Sequence, residues 1–368
     1  MRKTTLFILL LLTLLRLAVP GPGQAGEQDA GAMKGIPASV AADYIYSVIQ
    51  ANRAIYSEVI VERLGFAISL KATERWRVEK TLPLPAQFLL LSSQVSEKKN
   101  VGMTYRLMSL WPINPRNSPK DDKERLGLEK VVESPDKPYR LTLSTGTGLY
   151  HKSIYPDIAV TKACVTCHNQ HPKTIKNTFK LGDVMGGIAI KIPVRKDIKD
   201  PISDEFLVPP EVVADYIHSV LESDRTVYTE YVVNRLQREN IVYASEHWWE
   251  DNALMLPAQF LLNASDLMSA GSLNLDFKLI STWPINPHNG PANEFERKAL
   301  DQVAKKPFRP YNMVHTIGGK NYFQAVYPDF AVSPACVTCH NQHPKSPKRD
   351  FALNDVMGGI VMTFPLNP

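Results

Sequence analysis

Cysteine is scarce in this chain: there are 4 in 368 residues, and all fall in two identical Cys-Val-Thr-Cys-His strings. An exported protein usually spends an even set of cysteines on disulfides, but cysteines confined to two Cys-x-x-Cys pairs leave none to cross-link the rest of the fold. Long apolar runs are also missing. The one candidate, Leu6 to Leu15, is apolar except for Thr13, ends at Arg16 and falls short of the roughly 20 apolar residues that span a bilayer. Charge of one sign is missing too: 42 Lys and Arg against 37 Asp and Glu leave a net +5, too little to argue for a nucleic-acid partner. Nor is the chain poor in apolar residues, at 44% hydrophobic and 21% charged. Disorder is therefore not the default, and the length fits about two ordinary domains.

What the N-terminus does have is the order of an export signal. Arg2 and Lys3 make a short positive start, the apolar run follows, and small or helix-breaking residues from Pro20 to Ala25 lead to a cleavage point at Gln24-Ala25-Gly26. The expectation is a signal peptide over residues 1–25, with no cysteine at the junction to suggest a lipid anchor. It implies a periplasmic or otherwise exported product with no stable membrane span after cleavage. Loss of Arg2, Lys3 and Arg16 brings the mature chain to about +2.

The rest of the sequence is one unit written twice. Asp43 and Asp215, Arg53 and Arg225, Pro85 and Pro257, Trp111 and Trp283, Cys164 and Cys336 all stand 172 positions apart. Two copies of this length predict a domain pair rather than a solenoid: domain 1 over 35–195, a short exposed linker over 196–208, and domain 2 over 209–368. Each unit opens with apolar residues at helical spacing, such as Tyr44, Ile45, Val48 and Ile49 or Val213, Tyr216, Ile217 and Val220. A second helix is expected after Pro85 and Pro257, since proline suits a first turn. Tyr105-Leu107-Ser109-Trp111 and Phe277-Leu279-Ser281-Trp283 alternate at period two and predict strands. A short helix near 126–132, strands near 139–144 and 150–155, a loop carrying the cysteine string and a closing strand over 185–192 complete the unit. That order predicts an α+β fold with helices packed on one antiparallel sheet.

Two cysteines separated by two residues can add their sulfurs across the two vinyl groups of one haem, and the following histidine is then placed to ligate the iron, which is why Cys-x-x-Cys-His marks c-type attachment. The candidates are Cys164, Cys167, Cys336 and Cys339 for the thioethers and His168 and His340 for the iron, giving two haem c groups per chain. Their propionates would leave the holoprotein close to neutral or mildly acidic. A structural zinc shared by the four cysteines is disfavoured because the pairs lie 172 residues apart in separate repeats. A thioredoxin-like redox pair would not need the histidine twice.

The Cys-Val-Thr-Cys-His-Asn-x-His-Pro string, the downstream Asp-Val-Met-Gly-Gly, the upstream Pro-Ala-x-Phe-Leu and the Arg-x-x-Tyr step of the opening helix resemble the family of PAS-like haem c domains. That family occurs in bacteria as stand-alone cytochromes and as extracytoplasmic sensor domains of histidine kinases and chemoreceptors. The resemblance covers nearly the whole mature chain as two tandem copies. It implies a PAS-like α+β fold with the haem between sheet and helices. A cysteine known as second axial ligand in the family has no counterpart here, because this chain has no spare cysteine.

Among other matched residues, Arg53/Arg225 could pair a propionate and Tyr44/Tyr216 or Tyr56/Tyr228 could bond near the pocket. Trp111/Trp283 and Phe88/Phe260 could wall the haem, and Met185/Met357 could offer a thioether but read better as packing. His171 and His343 are the only further histidines matched between repeats. If the domains meet about a pseudo-two-fold axis, each could serve as distal ligand to the other repeat's haem; otherwise they hold the turn. Without a visible catalytic group, the chain reads as an electron carrier between redox partner proteins rather than an enzyme. The alternative is a haem-based redox or gas sensor that needs a sensory partner, since the chain holds no output domain of its own.

Overall fold

The computed structural model describes residues 35–201 and 203–367; the export signal expected over residues 1–25 lies outside them. In each repeat a helix starts directly after a proline, as Ala38–Ala54 and Pro210–Val227. It runs without a break into a π-helix, Ile55–Glu62 and Tyr228–Asn234, then returns to α geometry over Arg63–Ile68 and Arg235–Arg238. π-Helical turns are rare and cluster at functional sites, so one at the same place in both repeats marks the region for attention. The second helices, Pro85–Lys98 and Pro257–Ser269, begin at their prolines. Gln87 and Gln259 reach back to accept the Leu84 and Leu256 backbone N–H at 3.0 Å each, which satisfies a donor that the helix start leaves orphaned.

Each repeat carries one antiparallel four-stranded sheet, ordered Thr104–Met108, Val184–Val194, Gly148–Ile158, Tyr139–Thr145 in the first and Asp276–Ile280, Val356–Pro365, Lys320–Phe330, Tyr311–Ile317 in the second. The fold is thus two tandem α+β units. A surface helix, Asp122–Glu133 or Glu294–Lys305, is capped by Asp121 or Asn293. It buries Leu128 and Val131, or Leu300 and Val303, on the sheet. The Met-Gly-Gly motif belongs to this packing: a Cβ at Gly186 or Gly358 would lie 2.4 or 2.3 Å from the Met108 or Ile280 carbonyl. Ser109 and Ser281 fasten the same edge, each donating to the carbonyl of Met185 or Met357 at 2.6 Å.

Three expectations change. The Cys-x-x-Cys-His strings lie on helices, Lys162–Gln170 and Pro334–Gln342, not on loops, because Thr161 and Ser333 cap these segments and nine residues suffice for a short helix. The period-two stretch leaves the sheet at Met108, where the Ser109 N–H turns to the Asn117 carbonyl. The linker is exposed over much of its length but ends in a buried strand, Leu207–Val208, which pairs antiparallel with Ile36–Pro37.

The repeats meet about a pseudo-two-fold axis, recognisable because residues 172 apart touch each other. Ile36 pairs with Val208, Asn52 donates to Asp224 at 2.6 Å, and Phe88 meets Phe260 edge-on with centroids 6.0 Å apart. Contacts off the axis come in reciprocal pairs. Arg63 donates to the Ala253 carbonyl and sits 4.8 Å over Trp248; Arg235 donates to the Thr81 carbonyl and sits 4.8 Å over Trp76. Tyr56 and Tyr228 stack on Phe88 and Phe260 and donate to the carbonyls of Pro83 and Met255. From within each repeat they brace the axial Phe88 and Phe260.

Candidate functional site

On the helix Lys162–Gln170, Cys164, Cys167 and His168 stand at i, i+3 and i+4 and so share one face; Cys336, Cys339 and His340 repeat this on Pro334–Gln342. All four thiols are free and at least partly accessible. Burial pushes the Cys167, Cys336 and Cys339 thiols up and the imidazoles of His168 and His340 down. Burial thus favours the neutral imidazole, the form a metal takes. Nδ1 of each histidine is buried with no hydrogen-bond partner among the described residues.

The residues after each string are clamped. Asn169 donates to and accepts from the Phe179 backbone at 2.9 and 3.0 Å, and Asn341 does the same with Phe351. This sets Phe179 and Phe351 edge-on to His168 and His340, with centroids 5.9 Å apart in both repeats. Met185 packs with Ala159 and Phe179, and Trp111 and Cys164 lie against them; Met357 repeats the arrangement with Phe351 and Trp283. Trp111 therefore sits beside the motif as a wall residue should. Phe88 does not, being on the pseudo-two-fold axis.

In the first repeat the motif opens on a cavity of about 560 Å³, lined by Cys164, Cys167 and His168, by Ser57 and Val61 of the π-helix, and by Leu84. That volume is within the range of cofactor and ligand sites. Two thiols and an imidazole on one helix face, beside a largely apolar cavity in the first repeat, are a donor set that fits a c-type haem; Cys164, Cys167 and His168 would hold one group, and Cys336, Cys339 and His340 repeat the donor set. The two strings are separate sites, for among the described residues no three His, Cys, Asp or Glu converge on one point.

Arg53 also lines the cavity, but its guanidinium is buried in an ion pair with Asp157; Arg225 and Asp329 form the matching pair. The expected propionate partner is thus already neutralised by a carboxylate that sequence inspection passed over, although Asp157 and Asp329 are themselves 172 apart. Tyr44 donates to the Pro365 carbonyl of the other repeat at 2.8 Å. His171 and His343 end the motif helices: Nδ1 accepts the Lys173 or Lys345 N–H at 3.1 or 3.2 Å, and Nε2 faces Glu74 or Glu246 at 3.5 or 3.2 Å. Every one of these partners lies within the histidine's own repeat. Distal ligation of the other repeat's haem would need both rings turned away from these bonds, and in the structure they hold the turn.

Residues 37–193 and 211–365 each match the Tll0287-like family. The chain belongs to that family, in two tandem copies. A solved structure, that of the cyanobacterial haem protein Tll0287, is 17% identical, with the match covering 41% of this chain and 93% of that one at a TM-score of 0.25. No curated protein matches the chain.

Proposed function

We propose that this member of the Tll0287-like family is an exported dihaem c-type cytochrome, each repeat a PAS-like haem c domain, that carries electrons between redox partner proteins in the periplasm. The observation that carries the reading is that both repeats set two free thiols and a half-buried imidazole on one helix face beside an apolar wall. The chain has no other cysteine for these thiols to pair with. Bound haem supplies a one-electron couple at its iron. Cys164 and Cys167 would each add S–H across a vinyl group of one haem, and Cys336 and Cys339 across those of the second, the proton moving to the vinyl carbon so that no oxidant is consumed. His168 and His340 would present neutral imidazoles as proximal ligands, with Phe179 and Phe351 fixing their ring planes. Trp111, Met185 and their counterparts would exclude water, which favours a small reorganisation on electron transfer. The export signal read over residues 1–25 supports the periplasmic assignment.

A reduced-minus-oxidised optical spectrum with and without carbon monoxide tests this. A low-spin six-coordinate spectrum that ignores carbon monoxide is the expected result; ready binding of the gas would instead make the chain a ligand sensor acting on a separate partner.

A further inference from the structure

The pseudo-two-fold axis holds an acid that pairs with no cation among the described residues. Asp224 is 4% exposed, and its hydrogen bond is from the Asn52 amide at 2.6 Å. Other buried carboxylates are paired: Glu124 with Lys152 and Arg106, Glu296 with Lys278, and Asp157 with Arg53. An unpaired buried carboxylate is costly, and such a group takes up a proton instead. The surroundings are made for one. Among the described residues Asn52 Oδ1 is buried and lacks a donor, which a protonated Asp224 would supply; Ser92 Oγ lies within hydrogen-bonding reach of the same carboxyl, and the buried Tyr105 hydroxyl near it makes no directed hydrogen bond.

Facing Asp224 are Asn52 of the first opening helix, Ser92 of the helix Pro85–Lys98 and Tyr105 of the adjoining strand. The neighbouring cations, Arg53 and Arg225, are committed to Asp157 and Asp329, and Glu97 also acts on Tyr105. Burial pushes the Asp224 carboxyl up to about 7. The position is also central to both sites. Asn52 adjoins Arg53, whose ion pair with Asp157 lies in the electrostatic surroundings of His168; Asp224 adjoins Arg225, which with Asp329 lies in those of Cys336.

We propose that Asp224 is a redox-linked proton site shared by the two haems, an inference that rests on the dihaem reading. An external one-electron donor reduces a ferric iron to ferrous, the Asp224 carboxylate takes one proton from water, and the net charge of the buried region is unchanged; oxidation reverses both. Ser96 and Ser219, bonded at 2.8 Å, lead toward the half-exposed Lys99–Glu222 pair as the proton route.

The test is a spectroelectrochemical titration of the holoprotein and of Asp224→Asn across pH, with haem counted on the same samples by pyridine haemochrome. In the native protein the summed midpoint potentials should fall as pH rises through neutrality, by up to about 59 mV for each tenfold drop in proton concentration, and Asp224→Asn should remove that segment of the slope. A carboxylic acid carbonyl band should appear on reduction in the infrared difference spectrum and be missing from the variant. Two haems with the same slope in both proteins, or with no slope and no band, overturn the proton link and leave the cytochrome standing. Absence of haem overturns both.

Discussion

Replacing Asp224 with Asn should make the protein more stable, and increasingly so as the pH rises. In the folded chain burial moves this carboxyl from 3.8 up to about 7, so between those values the native state keeps a proton that the unfolded chain releases. Stability falls with pH wherever the native state binds more protons than the unfolded one. The contribution is therefore whole below the unfolded value and declines until the folded value is passed. At about 1.4 kcal/mol per unit of difference, the native protein gives up on the order of 4 kcal/mol by pH 8. Asparagine cannot ionise, keeps the shape, and can donate its own amide proton to the orphaned Asn52 Oδ1. Urea unfolding of both proteins from about pH 4.5 to about pH 8 should show midpoints that nearly coincide at the acid end and separate steadily up to neutrality, with unchanged m. A gap that does not vary with pH, or a variant less stable at the alkaline end, would refute the claim that Asp224 is buried without a counter-charge.

Four further substitutions probe the frame that holds the motifs. Phe88→Ala removes a fully buried ring on the axis and should cost about 3–5 kcal/mol in chemical denaturation; a cost below about 1 kcal/mol would mean that the repeats do not meet there. Arg63→Ala and Arg235→Ala break reciprocal contacts and should each cost about 1.5–3 kcal/mol, so one silent and one damaging variant would contradict the symmetry. Burial alone would raise the Glu124 carboxyl, but Lys152, the Lys120 N–H and Arg106 hold it below the usual range. Its stabilisation is present at neutral pH and lost as pH falls through that lowered value; Glu124→Gln should be destabilised by a few kcal/mol near neutrality and show a shallower acid limb, which thermal melts across pH would detect.

The parts of this structure that rest on local pattern were legible in the sequence. Pro85 and Pro257 announced their helices, the alternation around Tyr105 announced a strand, and the 172-residue offset announced two equivalent units. What local pattern could not supply was which neighbour covers each face. The opening helix is buried nearly all round because it lies between its own sheet and the other repeat, and an apolar stripe does not say which side is which. Phe88 looked like a haem wall for the same reason, since any large buried ring satisfies that pattern. Asn52 and Asp224 are not legible as partners, because the repeat shows itself through identical residues and this pair differs. Asp157 and Asp329 were matched yet unread, as a carboxylate at the end of an apolar strand gives no hint of its arginine. The motif itself was legible to the residue, and only its helical setting was not.

The measurement that bears most directly on the account is the haem content of the mature protein produced in a host that attaches haem c. Intact mass under denaturing conditions, read beside a pyridine haemochrome spectrum, should show two covalent haem additions per chain, one remaining after Cys336→Ala with Cys339→Ala and none after all four cysteines are replaced. A folded protein that carries no covalent haem, or that binds zinc at its cysteines instead, would contradict it.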